Sequence, residues 1–141
     1  MTDERYMIDN SAMNRIKLPE VAAVLVPLLN ARQLCTCGAI EVEALYSAKN
    51  SSDYEKLRLQ RATILEYVDS TEEDWQAALR IQAALASKSQ HRGPKVPDLI
   101  ISAVAKNNHL TVMHYDSDFE RISEFSDVKS CWVVPLGSLA K

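Results

Sequence analysis

Cysteine is too scarce here to build a disulfide framework. The chain has three, an odd number, and Cys35-Thr36-Cys37 lacks the two-residue spacer usual in zinc or redox pairs. They read as small reduced fillers, with Cys35 and Cys37 on one face of a strand. Membrane features are missing too. No apolar run reaches the ~18 residues of a span, and the N-terminus lacks the basic and apolar regions of a signal peptide. The expectation is a soluble, cytoplasmic protein with no membrane partner. Excess positive charge is also absent, and a formal net charge of −3 argues against a generally basic nucleic-acid binder. It leaves room for a basic rim at Arg15, Lys17, Arg92 and Lys95, near the acidic positions below. Histidine is sparse, and His91 has no second histidine at ligand spacing, so it reads as a solvated loop residue. Neither a repeat nor a low-complexity tract divides the chain.

What remains is 141 residues, 47% of them hydrophobic, enough for one domain, 1–141, with a real core. Arg5–Ile8 reads as a strand. Pro19–Arg32 reads as a helix with Val21, Val24, Leu25, Leu28 and Leu29 on one face, and Pro27 predicts a kink or a break. A strand is expected over Gln33–Ile40, then helices over Glu41–Lys49 and Asp53–Val68. Ser70 and Glu73 fit a capping box opening a helix over Glu72–Ser87, with Trp75, Ala78, Leu79, Gln82 and Leu85 as its packed stripe. After the loop Ser87–Lys95, Pro97 starts a helix that Asn107-Asn108 stops. A strand at Leu110–His114, a short helix at Ser117–Ile122 and a last strand at Ser130–Pro135 complete the series. Alternation of this kind indicates a layered α/β domain with a mainly parallel sheet flanked by helices.

The acidic residues fall at particular places in that series. Asp9 closes the first strand, Glu41 and Glu43 stand early in a helix, Asp98 sits in a helix's first turn, and Asp116 follows a strand. In a parallel sheet all of these lie at one edge, where open α/β sheets place their sites. Each could instead be a cap, a dipole partner or a turn residue. Residues two apart point nearly opposite ways on a helix, so only one of Glu41 and Glu43 faces an interior site, and periodicity does not choose between them. Four converging carboxylates would repel unless a cation neutralised them. All-oxygen donors favour Mg2+ or Mn2+, and metal-assisted phosphodiester hydrolysis follows as the reaction class.

Asp9-Asn10-Ser11-Ala12, the segment ending Ala44-Leu45-Tyr46-Ser47-Ala48, Pro97-Asp98-Leu99-Ile100-Ile101-Ser102-Ala103 and His114-Tyr115-Asp116-Ser117-Asp118-Phe119 resemble, in order and spacing, the motifs of PIN-domain ribonucleases. The match is nearest the VapC toxins of bacterial toxin–antitoxin pairs and spans nearly the whole chain. The resemblance implies a PIN-like fold, Mg2+- or Mn2+-dependent cleavage of RNA, a cognate antitoxin, and a homodimer that forms a heterotetramer or larger assembly with it. It carries the acidic quartet onto Asp9, Glu43, Asp98 and Asp116 as catalytic and metal-binding residues, with Ser11 and Asp118 as accessories. Glu43 is preferred to Glu41 because the family's glutamate directly precedes the pair before the aromatic. Asn10 departs from the threonine common there, which removes no metal ligand.

Two other functions compete. A phospho-receiver domain also gathers acids and Mg2+ at a parallel sheet edge, but it needs a late lysine that the Asp116 motif lacks. A catalytically inactive interaction module would use the acids only as caps.

Overall fold

The computed structural model describes residues 4–139. Five strands, β1 (Tyr6–Ile8), β2 (Leu34–Thr36), β3 (Glu66–Tyr67), β4 (Thr111–His114) and β5 (Ser130–Trp132), form one sheet in the order β3-β2-β1-β4-β5. Every pairing is parallel. Seven helices connect and flank them among the described residues: α1 (Asn10–Met13), α2 (Pro19–Asn30), α3 (Gly38–Leu45), α4 (Ser51–Ile64), α5 (Glu72–Ala86), α6 (Val96–Asn107) and α7 (Ser117–Glu124). The α/β expectation therefore holds. This strand order is not the 2-1-3-4-5 order expected of a receiver domain.

Register and strand alternation divide the core in two. Met7 is level with Cys35 and Val112, and all three join a buried cluster with α5, α6 and α7. Their neighbours Ile8, Leu34 and Met113 point the other way, into a second cluster with Ala12, Val21 and Leu25. Successive strand residues face opposite sides, so strands covered on both faces are apolar throughout. Cys35 and Cys37 are buried and free in the first cluster, as fillers should be. Helix α6 is buried continuously from Asp98 to Ala105, and it ends where Asn108 caps it and His109 takes φ 57°.

Several boundaries differ from the sequence reading. The second strand stops at Thr36, because extended Cys37 caps a helix that begins at Gly38; a short apolar run does not distinguish a strand from a buried helix end. The next helix ends at Ile64 instead of Val68. Leu65 turns extended into the second cluster, and Glu66–Tyr67 pairs with Cys35–Thr36, satisfying an otherwise open strand edge. Pro27 does not break α2, which runs continuously from Pro19 to Asn30. Helix α7 extends to Glu124, and β5 ends at Trp132.

The capping box lies one residue later than expected. Thr71 Oγ1 accepts from Asp74 N, and Asp74 Oδ2 accepts from Thr71 N at 2.8 Å. Asn107 Nδ2 donates to Asp74 Oδ1 at 2.7 Å, and this tertiary bond selects Asp74 over Glu73. The stripe rotates with it. Asp74, Ala77, Ala78, Ile81 and Leu85 are buried, whereas Trp75 and Leu79 are 48% and 57% exposed. Thr71→Ala should cost about 1 kcal/mol in urea unfolding, and Ser70→Ala should stay within about 0.5 kcal/mol of wild type. Equal losses would contradict the shifted cap.

Candidate active site

Strand order reverses between β1 and β4, each with a helix beginning just past its C-terminal end. That point is where an open α/β sheet leaves a crevice. Asp9 follows β1 and N-caps α1, accepting from Ser11 N at 2.9 Å. Its own N–H donates to Met113 O at 3.0 Å, which stitches it to β4. Asp116 follows β4 and N-caps α7, accepting from Asp118 N at 2.9 Å. Asp98 lies in the first turn of α6 and accepts from Lys95 N at 3.1 Å. Each carboxylate is thus fixed by backbone N–H groups at a helix start, where the dipole favours negative charge.

Asp9, Glu43, Asp98 and Asp116 line one cleft of about 240 Å3, with Asn10, Ser11 and Lys95 also on its wall. Carboxylate oxygens of Asp98, Asp116 and Asp118 all lie within 4.8 Å of one another, close enough to hold one metal ion. Asp118, expected as an accessory, therefore belongs to the tightest group. Asp9 and Glu43 stand on the surrounding wall. Ser11 supports the frame, its Oγ accepting from Tyr115 N at 2.9 Å.

The electrostatics fit a cation. Burial and the charges of Asp9, Asp116 and Asp118 push the Asp98 carboxyl up to about 7, despite the opposing Lys95 hydrogen bond. Asp9 is raised chiefly by burial, although Ser11 hydrogen bonds draw it back. Asp118 is raised by burial and by Asp116, against the pull of Lys95 and Arg121. An all-oxygen set whose members resist sharing negative charge suits a hard dication.

The two glutamates separate cleanly. Glu43 lines the cleft and accepts from Asn10 Nδ2 at 3.0 Å. Glu41 instead pairs with buried Arg61 at 2.9 Å and accepts from Thr36 Oγ1. Arg61, the one buried residue of helix α4, is not among the residues the sequence singles out. A lone basic residue in a charged helix carries no signal of burial. Of the expected rim, Lys95 reaches the cleft wall, while Arg15 lies over the Tyr115 ring and donates to Ser11 O. His114, fully buried beneath Asp116, accepts from Asp116 N through Nδ1 at 3.2 Å, and burial pushes its pKa down to about 4.

A parallel domain with a carboxylate cleft at its switch point is the architecture of PIN domains, and the PIN-domain family model matches residues 6–124. Over 134 residues the chain is 42% identical to Ribonuclease VapC21 of Mycobacterium tuberculosis, covering 95% of this chain and 97% of the relative. It is 33% identical over 135 residues to Ribonuclease VapC51 of the same species, covering 96% and 97%. The chain belongs to the PIN-domain family and, within it, to the VapC group. Two solved structures share the fold. VapBC2 from Rickettsia felis bound to a promoter DNA fragment aligns with a TM-score of 0.73 at 16% identity, covering 90% of this chain and 97% of that one. DNA-bound VapBC from Salmonella typhimurium aligns at 0.70 and 20% identity, covering 93% and 99%.

Proposed function

We propose that this chain is a cytoplasmic endoribonuclease toxin, acting as a single domain over 1–141. It hydrolyses RNA phosphodiesters with Mg2+ or Mn2+ and is neutralised by a co-encoded antitoxin. The observation that carries this reading is the group Asp98, Asp116 and Asp118, with oxygens within 4.8 Å of one another, in a cleft that Asp9 and Glu43 also line. These five carboxylates would hold the metal. When bound, the dication acidifies water and takes up charge developing on the departing oxygen. Asp98, raised to about 7 by burial and its acidic neighbours, would hold the cation as the carboxylate, its proton released to solvent. Asn10 holds Glu43 against the cleft. Lys95 makes no ion pair among the described residues, so its ammonium is available to an RNA phosphate entering an otherwise acidic site.

The relatives named as ribonucleases and the VapBC structures support both the reaction and the partner. The antitoxin docks on α2 and α4, where Val26, Tyr54 and Leu59 are exposed, and places an Arg or Lys among the cleft carboxylates. An apolar groove of about 580 Å3, lined by Val42, Tyr46, Trp75 and Val96, suits the homodimer contact from which a heterotetramer or larger complex would be built. Co-purification with the product of the adjacent reading frame checks the partner, and sedimentation as a monomer at micromolar concentration would count against the dimer.

Purified protein should cut single-stranded or structured RNA in Mn2+, lose the activity in EDTA and regain it with excess Mn2+. Cleavage undiminished by EDTA would overturn the metal-dependent reading.

A further inference from the structure

Arg61 is the most deeply buried Lys or Arg among the described residues, 6% exposed on an otherwise solvated helix. Its Nε donates to Glu41 Oε1 at 3.0 Å and its Nη2 to Glu41 Oε2 at 2.9 Å. The same Nη2 lies 3.5 Å from Asn10 Oδ1. Asn10, 4% exposed, donates through Nδ2 to Ile40 O at 2.9 Å and to Glu43 Oε1 at 3.0 Å. A continuous polar chain, Glu41–Arg61–Asn10–Glu43, therefore runs from α4 into the cleft.

We propose that Arg61 is a positioning residue for Glu43, acting through the orientation of Asn10, and that it thereby raises the cleft's affinity for a divalent cation. This rests on the nuclease reading above. Glu43 has three rotatable side-chain torsions and an exposed position on α3, so it needs a clamp to stay at the cleft. A flipped Asn10 would turn its oxygen toward Ile40 O and Glu43 Oε1, both acceptors, and its NH2 toward the guanidinium. The cation at Asn10 Oδ1 adds charge to that preference. Glu41 completes the device, since its bidentate pairing keeps the guanidinium from turning toward Glu43 and neutralising it.

The test is calorimetric titration of the full chain with Mn2+ at neutral pH. Outer partners of a metal site change affinity by about 10–100-fold, so Arg61→Gln and Asn10→Ala should each weaken Mn2+ binding about tenfold. The double variant should be no weaker than either single one, because both act through one path. Arg61→Lys keeps the charge but loses the fork, and should recover part of the loss. Asp74→Asn, which disturbs a buried polar pair away from the cleft, should lower the melting temperature and leave Mn2+ affinity unchanged; an equal loss there would reassign the Arg61 effect to general destabilisation. Wild-type affinity in Asn10→Ala would overturn the proposal even if the Arg61 variants failed to fold, and so would additive losses in the double variant. A wild-type protein that bound no Mn2+ would remove the functional reading and this inference together. Tight wild-type binding with unchanged variants would remove only the inference.

Discussion

Asp98→Asn is expected to reduce RNA cleavage by more than about 100-fold, beyond what loss of a supporting partner does, while making the metal-free protein more stable. The stability gain follows from the raised pKa. Ordinarily near 3.8, the Asp98 carboxyl sits at about 7 in the fold. The folded state therefore binds the proton more tightly than the unfolded chain, and stability falls as pH rises between those two values. Above about pH 7 the full penalty is present, worth at most about 4 kcal/mol at roughly 1.36 kcal/mol per pH unit. Asparagine removes the charge and keeps an oxygen to accept from Lys95 N, so about 1–3 kcal/mol of that should reappear in urea unfolding at pH 8. The gain should vanish toward pH 4. His114 acts in the opposite sense. With its pKa lowered to about 4, it destabilises the fold as pH falls from 6.5 toward 4, so variant and wild type must be compared at each pH. Adding Mn2+ should stabilise the wild type by mass action and the variant much less. A variant that was less stable at pH 8, or still cut RNA at the wild-type rate, would contradict the role given to Asp98.

The second large effect separates the two glutamates. Glu43→Gln should lower cleavage by at least about tenfold with little change in unfolding free energy, because Glu43 is exposed and its main partners lie in the cleft. Glu41→Gln should do the reverse. Its pair with Arg61 is largely buried, with side-chain exposures of 18% and 7%. Removing one partner of a buried ion pair costs about 3–5 kcal/mol, and somewhat less where glutamine still accepts hydrogen bonds. Activity measured on the folded fraction should fall less than in Glu43→Gln, because glutamine still accepts from Arg61 and keeps the guanidinium beside Asn10. If Glu41→Gln abolished cleavage at unchanged stability, the assignment of the two glutamates would have to be exchanged.

The carboxylates at the strand ends and in the first turn of α6 were legible because Pro97, the short apolar strands and the order of the elements fix where the chain turns. Asp9, Asp98 and Asp116 could be placed at one edge without coordinates. The boundaries around α3 were not legible, since Leu34 to Ile40 is apolar apart from Thr36 through both a strand end and a buried helix start. The edge strand β3 was hidden for a different reason. Glu66 and Tyr67 continue a helical pattern, and only the open edge of β2 draws them into the sheet. Nor could spacing tell that Trp75 and Leu79 face outward, because the Asp74–Asn107 bond, a tertiary feature, sets the rotation of α5. The closeness of Asp118 to Asp98 depends on how α7 leaves β4, and Arg61 on α4 lying across α3; neither is a property of a local stretch.

The cleft acids should hold the divalent cation on which RNA cleavage depends. Anomalous diffraction from crystals grown with Mn2+ tests this most directly. A manganese peak is expected in the cleft within coordinating distance of Asp98 and Asp116, absent from crystals of Asp98→Asn. An empty cleft at saturating Mn2+ in a protein that still cuts RNA, or a peak elsewhere on the chain, would contradict it.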